Sequence, residues 1–343
     1  MAKAERPAVS MREVAEHAGV STMTVSRMLN GSAHVRAATR RRVEAAIAEL
    51  NYRPNAIARA LARGRTRQIG LLIHSYSQFG PMRVLESMCS AARAAGYAAL
   101  ISTVGSGQPE EFSEALESIT DACVDGVAII APVASAHEAL GALALPSATV
   151  VLGGPSTMSR GGTAATPHAQ VSIDQRLGAT LAVRHLVDRG HRVIAHVAGP
   201  DNWFDAVHRR EAWEQELQRT GLPCSPSVQG DWSAQSGFDA ARQLVEIPGL
   251  TAVFTANDQM ALGVIGGLAA LGYRVPEDVS VIGFDDQPEA AHFLPPLTTV
   301  RQDFEALGRL GMNKILAALG ERDPVDEERV IPKLVQRGSV RSI

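Results

Sequence analysis

The segment 11–30, MREVAEHAGVSTMTVSRMLN, constrains the fold more than any other stretch, because it specifies two helices and the turn between them. The first helix is predicted from an apolar stripe formed by Val14, Ala15 and Ala18. Gly19 then breaks this helix. Ser21 suits the start of a second helix, because its hydroxyl can accept a hydrogen bond from an otherwise unbonded backbone N–H.

The second helix has an apolar side and a polar side. Its apolar positions have the i, i+3, i+4 spacing of a buried helical face and are Val25, Met28 and Leu29. The residues left near its outward, N-terminal side are Thr22, Met23, Thr24, Ser26 and Arg27. Two short helices with a glycine in the turn form the helix-turn-helix pattern, whose second helix reaches base edges in the major groove. For this segment alone, an ordinary helical hairpin is the alternative.

Two more helical segments are predicted before residue 66. Residues 37–50 have an apolar face formed by Val43, Ala46, Ile47 and Leu50, while Arg40, Arg41 and Arg42 are expected near DNA phosphates. Pro54 ends this helix, and Asn55 can cap a short, basic, alanine-rich helix over residues 56–62. A helix this short is unstable alone, so we expect it to fold only with DNA and a second copy present. A plain interdomain linker is the alternative.

Charge is distributed unevenly along the chain. Within residues 1–67, Lys and Arg outnumber Asp and Glu by 13 to 5, although the whole chain has a formal net charge of −3. A basic head on an acidic remainder predicts a polyanion partner for the head only. The three cysteines, Cys89, Cys123 and Cys224, have no CxxC spacing, which favours a reducing compartment and argues against a disulfide framework or zinc site.

The location of the protein is predicted from two signals that the sequence does not contain, a signal peptide and a membrane span. The N-terminal residues have no apolar signal-peptide core, and no later run approaches the roughly 18 apolar residues of a membrane span. We therefore expect a cytoplasmic protein with no membrane partner. No cofactor is predicted.

The segment MREVAEHAGVSTMTVSRMLNGSAHVRAATRRRVEAAIAELNYRPNAIARAL resembles the head and hinge of the LacI/GalR family of bacterial transcription regulators. The likeness extends over nearly the whole chain and is strong around GDWSAQSGF, ANDQMALG, GFDD and PPLTTVRQDF. It implies that Thr22, Met23 and Arg27 read bases and that Leu61 wedges into the minor groove at the operator centre. Further residues that it places at the DNA are Ser21, Thr24, Ser26, Asn30, His34, Thr39, Tyr52, Asn55 and Ala58.

From Gln68 onward, short apolar runs alternate with helical stretches, as in parallel sheets covered by helices on both faces. The predicted fold class is therefore α/β: an all-α helix-turn-helix head followed by two doubly wound parallel-sheet lobes of the periplasmic-binding-protein type. The expected boundaries are 8–54 for the head, 55–66 for the hinge and linker, and 67–343 for an effector and dimerisation domain. Within that domain, the N-lobe is expected at about 68–173 and 300–330, and the C-lobe at about 174–299 and 331–341.

Ligands of such folds bind outside the carboxyl ends of the strands, where this chain has HSYSQF, APVAS, GGPS, GPDNWFDA, ANDQ and FDDQ. Asp285 and Asn257 lie at strand ends, Arg209 lies on the helix entered after GPDNWFDA, and Trp232 lies in a loop. Together these types suit a sugar, with fixed donors and acceptors for its hydroxyls and an aromatic plane for its ring. The alternatives are that Asn257 only caps a helix and that Trp232 only packs.

The resemblance implies a specific effector site. Its residues would be His74, Phe79, Arg209, Trp232, Asn257, Asp285, Gln302 and Phe304, with Leu307 on the apolar wall. Two positions depart from the family pattern: Gly153 replaces a sugar-contacting aspartate, and His74 replaces a small hydroxyl residue. The resemblance therefore implies a β-galactoside or a related glycoside, and the lost carboxylate would leave room for a second sugar.

The predicted function is a homodimeric repressor of carbohydrate-utilisation genes, released from a pseudo-palindromic operator by a sugar inducer. No leucine heptad follows Val335, so a dimer is expected rather than a tetramer. One alternative is a DNA-binding regulator that uses a corepressor or a phosphocarrier protein. A sugar-binding carrier is opposed by the basic head. Two observations argue against an enzyme. The chain lacks GxSxG, GxxxxGK[ST] and HExxH motifs, and Asp285 and Asp286 should point to opposite faces, which is poor geometry for an acid/base pair.

Overall fold

In the residues that the structure describes, the head contains three helices: α1 (Met11–Ala18), α2 (Thr22–Leu29) and α3 (Ala37–Glu49). Ser10 and Glu13 form a reciprocal capping box at the start of α1, and Gly19 ends it in the left-handed region with φ of 60°. Ser21 Oγ accepts a hydrogen bond from the backbone N–H of Thr24 at 3.2 Å, as expected of a cap of α2. The buried core of the head consists of Val14, Ala15, Ala18, Val25, Met28, Val43, Ala46 and Tyr52.

Tyr52, which the family resemblance places at the DNA, is largely buried. It is only 7% exposed and packs in the head core, so only its few exposed atoms are left for the predicted DNA contact.

The structure is a computed structural model that describes residues 9–29, 35–52, 60, 64–74, 77–105, 108–141, 145–154, 169–224 and 226–343. Contacts divide the chain into two units, Met1–Thr66 and Arg67–Ile343, which we treat separately. Predicted DNA contacts that lie outside the described residues are Asn30, His34, Asn55, Ala58 and Leu61, together with nearly all of the predicted helix at 56–62. Two predicted cleft loops also lie partly outside the described residues, at 75–76 and 155–156.

The second unit has alternating strands and helices, as the sequence predicts. Its strands are β1 (Gln68–His74), β2 (Ala98–Val104), β3 (Gly126–Ile130), β4 (Thr149–Leu152), β5 (Ala169–Ile173), β6 (Ile194–Ala198), β7 (Ser227–Gln229), β8 (Ala252–Thr255), β9 (Ser280–Ile282), β10 (Thr299–Arg301), β11 (Arg329–Val330) and β12 (Lys333–Val335). Among the described residues, six strands form a parallel sheet in the order β11-β5-β4-β3-β1-β2, and four form another in the order β7-β6-β8-β9. We call these the N-lobe and C-lobe sheets.

Helices cover both faces of these sheets. They are α4 (Phe79–Ala94), α5 (Pro109–Asp121), α6 (Ala134–Gly141), α7 (Gln175–Asp188), α8 (Phe204–Arg219), α9 (Ala234–Leu244), α10 (Asp258–Ala270) and α11 (Phe304–Ala318), with a short 3₁₀ helix at Pro288–His292. None of the helices in the described ranges is long and apolar enough to span a bilayer.

The chain passes between the lobes several times. After β10, helix α11 packs in the N-lobe core through Leu307, Leu310 and Ile315. β12 then pairs with β10, and Val340 lies in the C-lobe core. The lobes also meet across the cleft, where Phe204 N–H donates to the Pro132 carbonyl at 2.9 Å.

Candidate ligand-binding cleft

A cavity lies between the lobes at the carboxyl ends of the strands, where the sheet topology predicts it. Its empty space is about 690 Å³, including the part open to solvent. One wall is mainly apolar and comprises Phe79, Pro81, Val84, Ile130, Leu152, Ile173, Phe304 and Leu307. The facing wall is polar and aromatic and comprises Gln175, Trp203, Asp205, Arg209, Trp232, Asn257, Asp285 and Gln302.

Most of the predicted effector residues lie in these walls. They are Phe79, Arg209, Trp232, Asn257, Asp285, Gln302 and Phe304, and Gly153 also borders the cavity. The predicted effector residue His74 is not among the residues that line the cavity. It is the last residue of β1, and its ring is packed between Phe112 and Trp203, at 5.9 and 6.4 Å between ring centroids.

The Arg209 side chain is held by several neighbours in the cleft. Its side chain, on α8, is 4% exposed, and its guanidinium carbon lies 3.9 Å from the centroid of the Phe284 ring. Nε donates to Gln175 Oε1 at 2.9 Å, and Nη1 donates to the Ala256 carbonyl oxygen. Asp285 Oδ1 lies 3.8 Å from Nη1. The buried charge is therefore balanced by a carboxylate and held by directed hydrogen bonds, as a buried ion requires.

Two glutamines close this network into a ring. Gln175 Nε2 donates to Gln302 Oε1 at 2.8 Å, and Gln302 Nε2 donates to Asp285 Oδ1 at 2.6 Å. Gln175 was missed by the sequence analysis, because a glutamine at the first position of a helix carries no distinctive pattern. Its position after the cap of α7, Asp174, is the only local signal.

Asp285 and Asp286 have opposite environments, as predicted from their adjacency. Asp285 lines the cavity, whereas Asp286 accepts hydrogen bonds from Arg301 and Arg337, each at 2.6 Å. Both have positive φ, 112° and 56°, which is strained for non-glycine residues and typical of ligand sites. Burial raises the pKa of Asp285 to about 6, an effect that Arg209 and Gln302 partly oppose.

Asn257 and Trp232 have the structural roles that the sequence left open, and both also border the cavity. Asn257 Oδ1 accepts a hydrogen bond from Met260 N–H at 2.8 Å, which caps α10, and its amide donates to the Trp232 carbonyl at 3.0 Å. The Trp232 ring packs edge to face on Trp203 with centroids 5.5 Å apart, and it also lines the cavity. A Cβ at Gly199 would overlap this ring, so glycine is required there.

The candidate base-reading surface lies in the other unit, on α2. Ser21, Thr22, Met23 and Arg27 are exposed, and Met23 is 61% exposed although it is apolar. The remaining predicted contacts in the described residues, Thr24, Ser26 and Thr39, are partly exposed. The buried face of α2 is Val25 and Met28, so the N-terminal side of the helix is left open to a partner.

Comparisons with known proteins agree with both halves of this description. Residues 183–340 match the model of the periplasmic binding protein-like domain, and residues 10–55 match that of bacterial regulatory proteins of the lacI family. The chain is 35% identical to the lactose operon repressor of Escherichia coli (strain K12), over 96% of this chain and 90% of that protein. It is 34% identical to the ribose operon repressor of the same strain, over 96% and 99%.

A solved structure of the Lac repressor dimer bound to operator and the anti-inducer ONPF has a similar fold. The TM-score is 0.86 at 33% identity, covering 98% of this chain and 100% of that one. The predicted fold class and the family resemblance are thereby confirmed. The chain belongs to the lacI family of bacterial regulatory proteins, and it is a transcriptional repressor of that family rather than an enzyme.

Proposed function

We propose that this protein is a dimeric repressor that acts in the cytoplasm on a pseudo-palindromic operator and is controlled by a sugar in the cleft. The observation that carries the proposal is the two-sided cavity, in which hydrogen-bonding groups face an apolar wall. A sugar ring has hydroxyls along its edge and apolar C–H faces, so it can use both walls. The exposed N-terminal side of α2 supports operator reading.

A β-galactoside or a related glycoside is the proposed effector. Gly153 borders the cavity with φ of 87°, and among the described residues a Cβ added there would contact only Pro132, at 3.7 Å. We propose that a second sugar ring or an aglycone binds at this corner.

The proposed mechanism is linkage between the cleft and the DNA. The sugar binds one lobe arrangement better than another, and that arrangement disfavours the DNA-bound head. Coupling of this kind amounts to about 1–3 kcal/mol and is reciprocal, so operator must weaken sugar binding by the same factor. Equal sugar affinity with and without operator would contradict it.

The deciding experiment is a thermal-shift screen of mono- and disaccharides, followed by operator binding with every hit. A glycoside that raises the melting temperature and releases operator supports the proposal. One that stabilises the protein but tightens operator binding would make the ligand a corepressor. If no sugar shifts the melting temperature, a phosphocarrier protein becomes the effector to test.

Effector affinity is expected to fall as the pH drops below about 6. Sugar hydroxyls donate to the ionised carboxylate of Asp285, whose pKa is raised to about 6, and protonation removes that acceptor. Asp205, whose pKa burial also raises, contributes in the same direction. The dissociation constant should rise about tenfold per pH unit below the pKa. Calorimetry at pH 5, 6, 7 and 8 tests this, and an equal constant at pH 5 and pH 8 would refute it.

Arg27→Ala is expected to reduce operator discrimination by about 1–3 kcal/mol at one base position. Arg27 is exposed on α2, and a guanidinium can donate two parallel hydrogen bonds to a guanine edge. Operator and random DNA are compared at one salt concentration. Arg274→Ala, which removes an exposed arginine of the second unit, is the control for lost charge. Unchanged discrimination in Arg27→Ala would show that α2 is misplaced.

A further inference from the structure

Asp205 belongs to the predicted cleft segment GPDNWFDA but is not among the predicted effector residues. It lies in the first turn of α8 and borders the cavity, with 27% of its side chain exposed. Its nearest charged partner is Arg209, whose Nη2 is 3.8 Å from Asp205 Oδ2, which is too long for a hydrogen bond. In the described part of the chain, no donor is hydrogen-bonded to this carboxylate. Asp205 is therefore an acceptor at the cavity whose hydrogen-bonding capacity is unused.

The other polar groups of this wall are largely occupied by one another. The Gln175 amide uses its oxygen for Arg209 and its nitrogen for Gln302. The Gln302 amide nitrogen donates to Asp285, and Asn257 uses both ends of its amide within the protein. A ligand hydroxyl therefore finds its least committed acceptor at Asp205.

The charges of this wall also favour an uncharged ligand. The charged residues lining the described cavity are two carboxylates, Asp205 and Asp285, and one guanidinium, Arg209. Nε and Nη1 of Arg209 already donate to protein oxygens, and both carboxylates lie 3.8 Å from the guanidinium. These three residues carry a net charge of −1, which would repel an anionic ligand. The Arg209 guanidinium is already paired and would not offset that repulsion.

We propose that Asp205 contacts the effector, accepts a hydrogen bond from one of its hydroxyls, and makes the cleft select uncharged sugars against sugar acids and sugar phosphates. This inference rests on the proposed sugar-responsive function. It assigns to Asp205 the role of a specificity-determining residue.

The test uses Asp205→Asn, which keeps the size of the side chain and removes its charge. Asp201→Asn is the matched control, because Asp201 is 66% exposed, pairs with Arg210 and lies outside the cavity wall. The probes are pairs that differ by an anionic group: galactose and galacturonate, glucose and glucuronate, and galactose and galactose 6-phosphate. Binding to the full-length protein is measured at pH 8 by calorimetry and by intrinsic tryptophan fluorescence.

In the wild-type protein, a neutral sugar is expected to bind at least about 100-fold more tightly than its anionic counterpart. Asp205→Asn should weaken neutral-sugar binding about tenfold. It should also reduce the ratio between the dissociation constants of the anionic and the neutral sugar, whereas Asp201→Asn should change neither quantity. Anions that bind as tightly as neutral sugars, or an Asp205→Asn variant that behaves like Asp201→Asn, would overturn the assignment of Asp205 alone. No binding of any probe would overturn the proposed sugar effector as well.

Discussion

Arg209→Ala is expected to abolish the response to effector while operator binding is retained. The substitution leaves the carboxylates of Asp285 and Asp205 facing each other without a cation, and it removes the donor to Gln175. Removing one partner of a buried ion pair costs about 3–5 kcal/mol because the other charge is left uncompensated, so the arrangement of the wall that binds the effector should be lost. Calorimetry measures the effector affinity, and a gel-shift titration with and without effector measures the response.

The neighbouring residue on α8 supplies the control. Arg210 pairs with Asp201 at the surface, and exposed pairs of this kind contribute about 0–1 kcal/mol. Arg210→Ala should therefore respond to effector as the wild-type protein does. The operator-binding assay without effector shows whether the Arg209→Ala protein is folded. Effector release at wild-type concentrations by a folded Arg209→Ala protein would show that this network is not the effector site.

Gly263→Ala is expected to unfold the second unit at much lower denaturant than the wild type. Gly263 is where α10 crosses α9, and a Cβ there would overlap the backbone carbonyl of Ala234 and approach the backbone nitrogen of Phe238. Backbone atoms within a helix cannot move aside as a flexible side chain can, so the two helices must separate. Overpacking of this kind costs about 1–3 kcal/mol or more.

Gly266→Ala, one helical turn further along α10, is the matched control. Gly266 is exposed, and an added Cβ would make only ordinary contacts with the Phe238 ring, at 3.7 Å or more. Because alanine favours helix over glycine by about 0.8–1 kcal/mol, this variant should be slightly stabilised. Urea unfolding followed by tryptophan fluorescence reports on the second unit alone, since Trp203, Trp213 and Trp232 all lie there. Equal midpoints for the two variants would refute the close-packing argument.

Local spacing was sufficient to predict the elements with strong periodicity. The helices of the head follow from apolar residues three and four positions apart and from Ser21 and Gly19 at their ends. In the second unit, the continuous apolar runs became buried strands such as β1 and β3. β7 has no such run, because it is a three-residue edge strand with one buried side chain. β5 has none either, because its sequence AQVSI is interrupted by polar residues.

The sequence by itself determined that a helix-turn-helix head precedes two parallel-sheet lobes and that the strand ends carry the polar residues of a cleft, because these features depend on near neighbours and on a topological rule. Tertiary structure alone decided which of those residues meet. Gln175 bonds to Arg209 and to Gln302, 34 and 127 positions away, and His74 packs against Phe112 and Trp203. Such contacts arise only when folding brings elements that are distant in sequence next to each other. The unused carboxylate of Asp205 is visible only once its neighbours are in place.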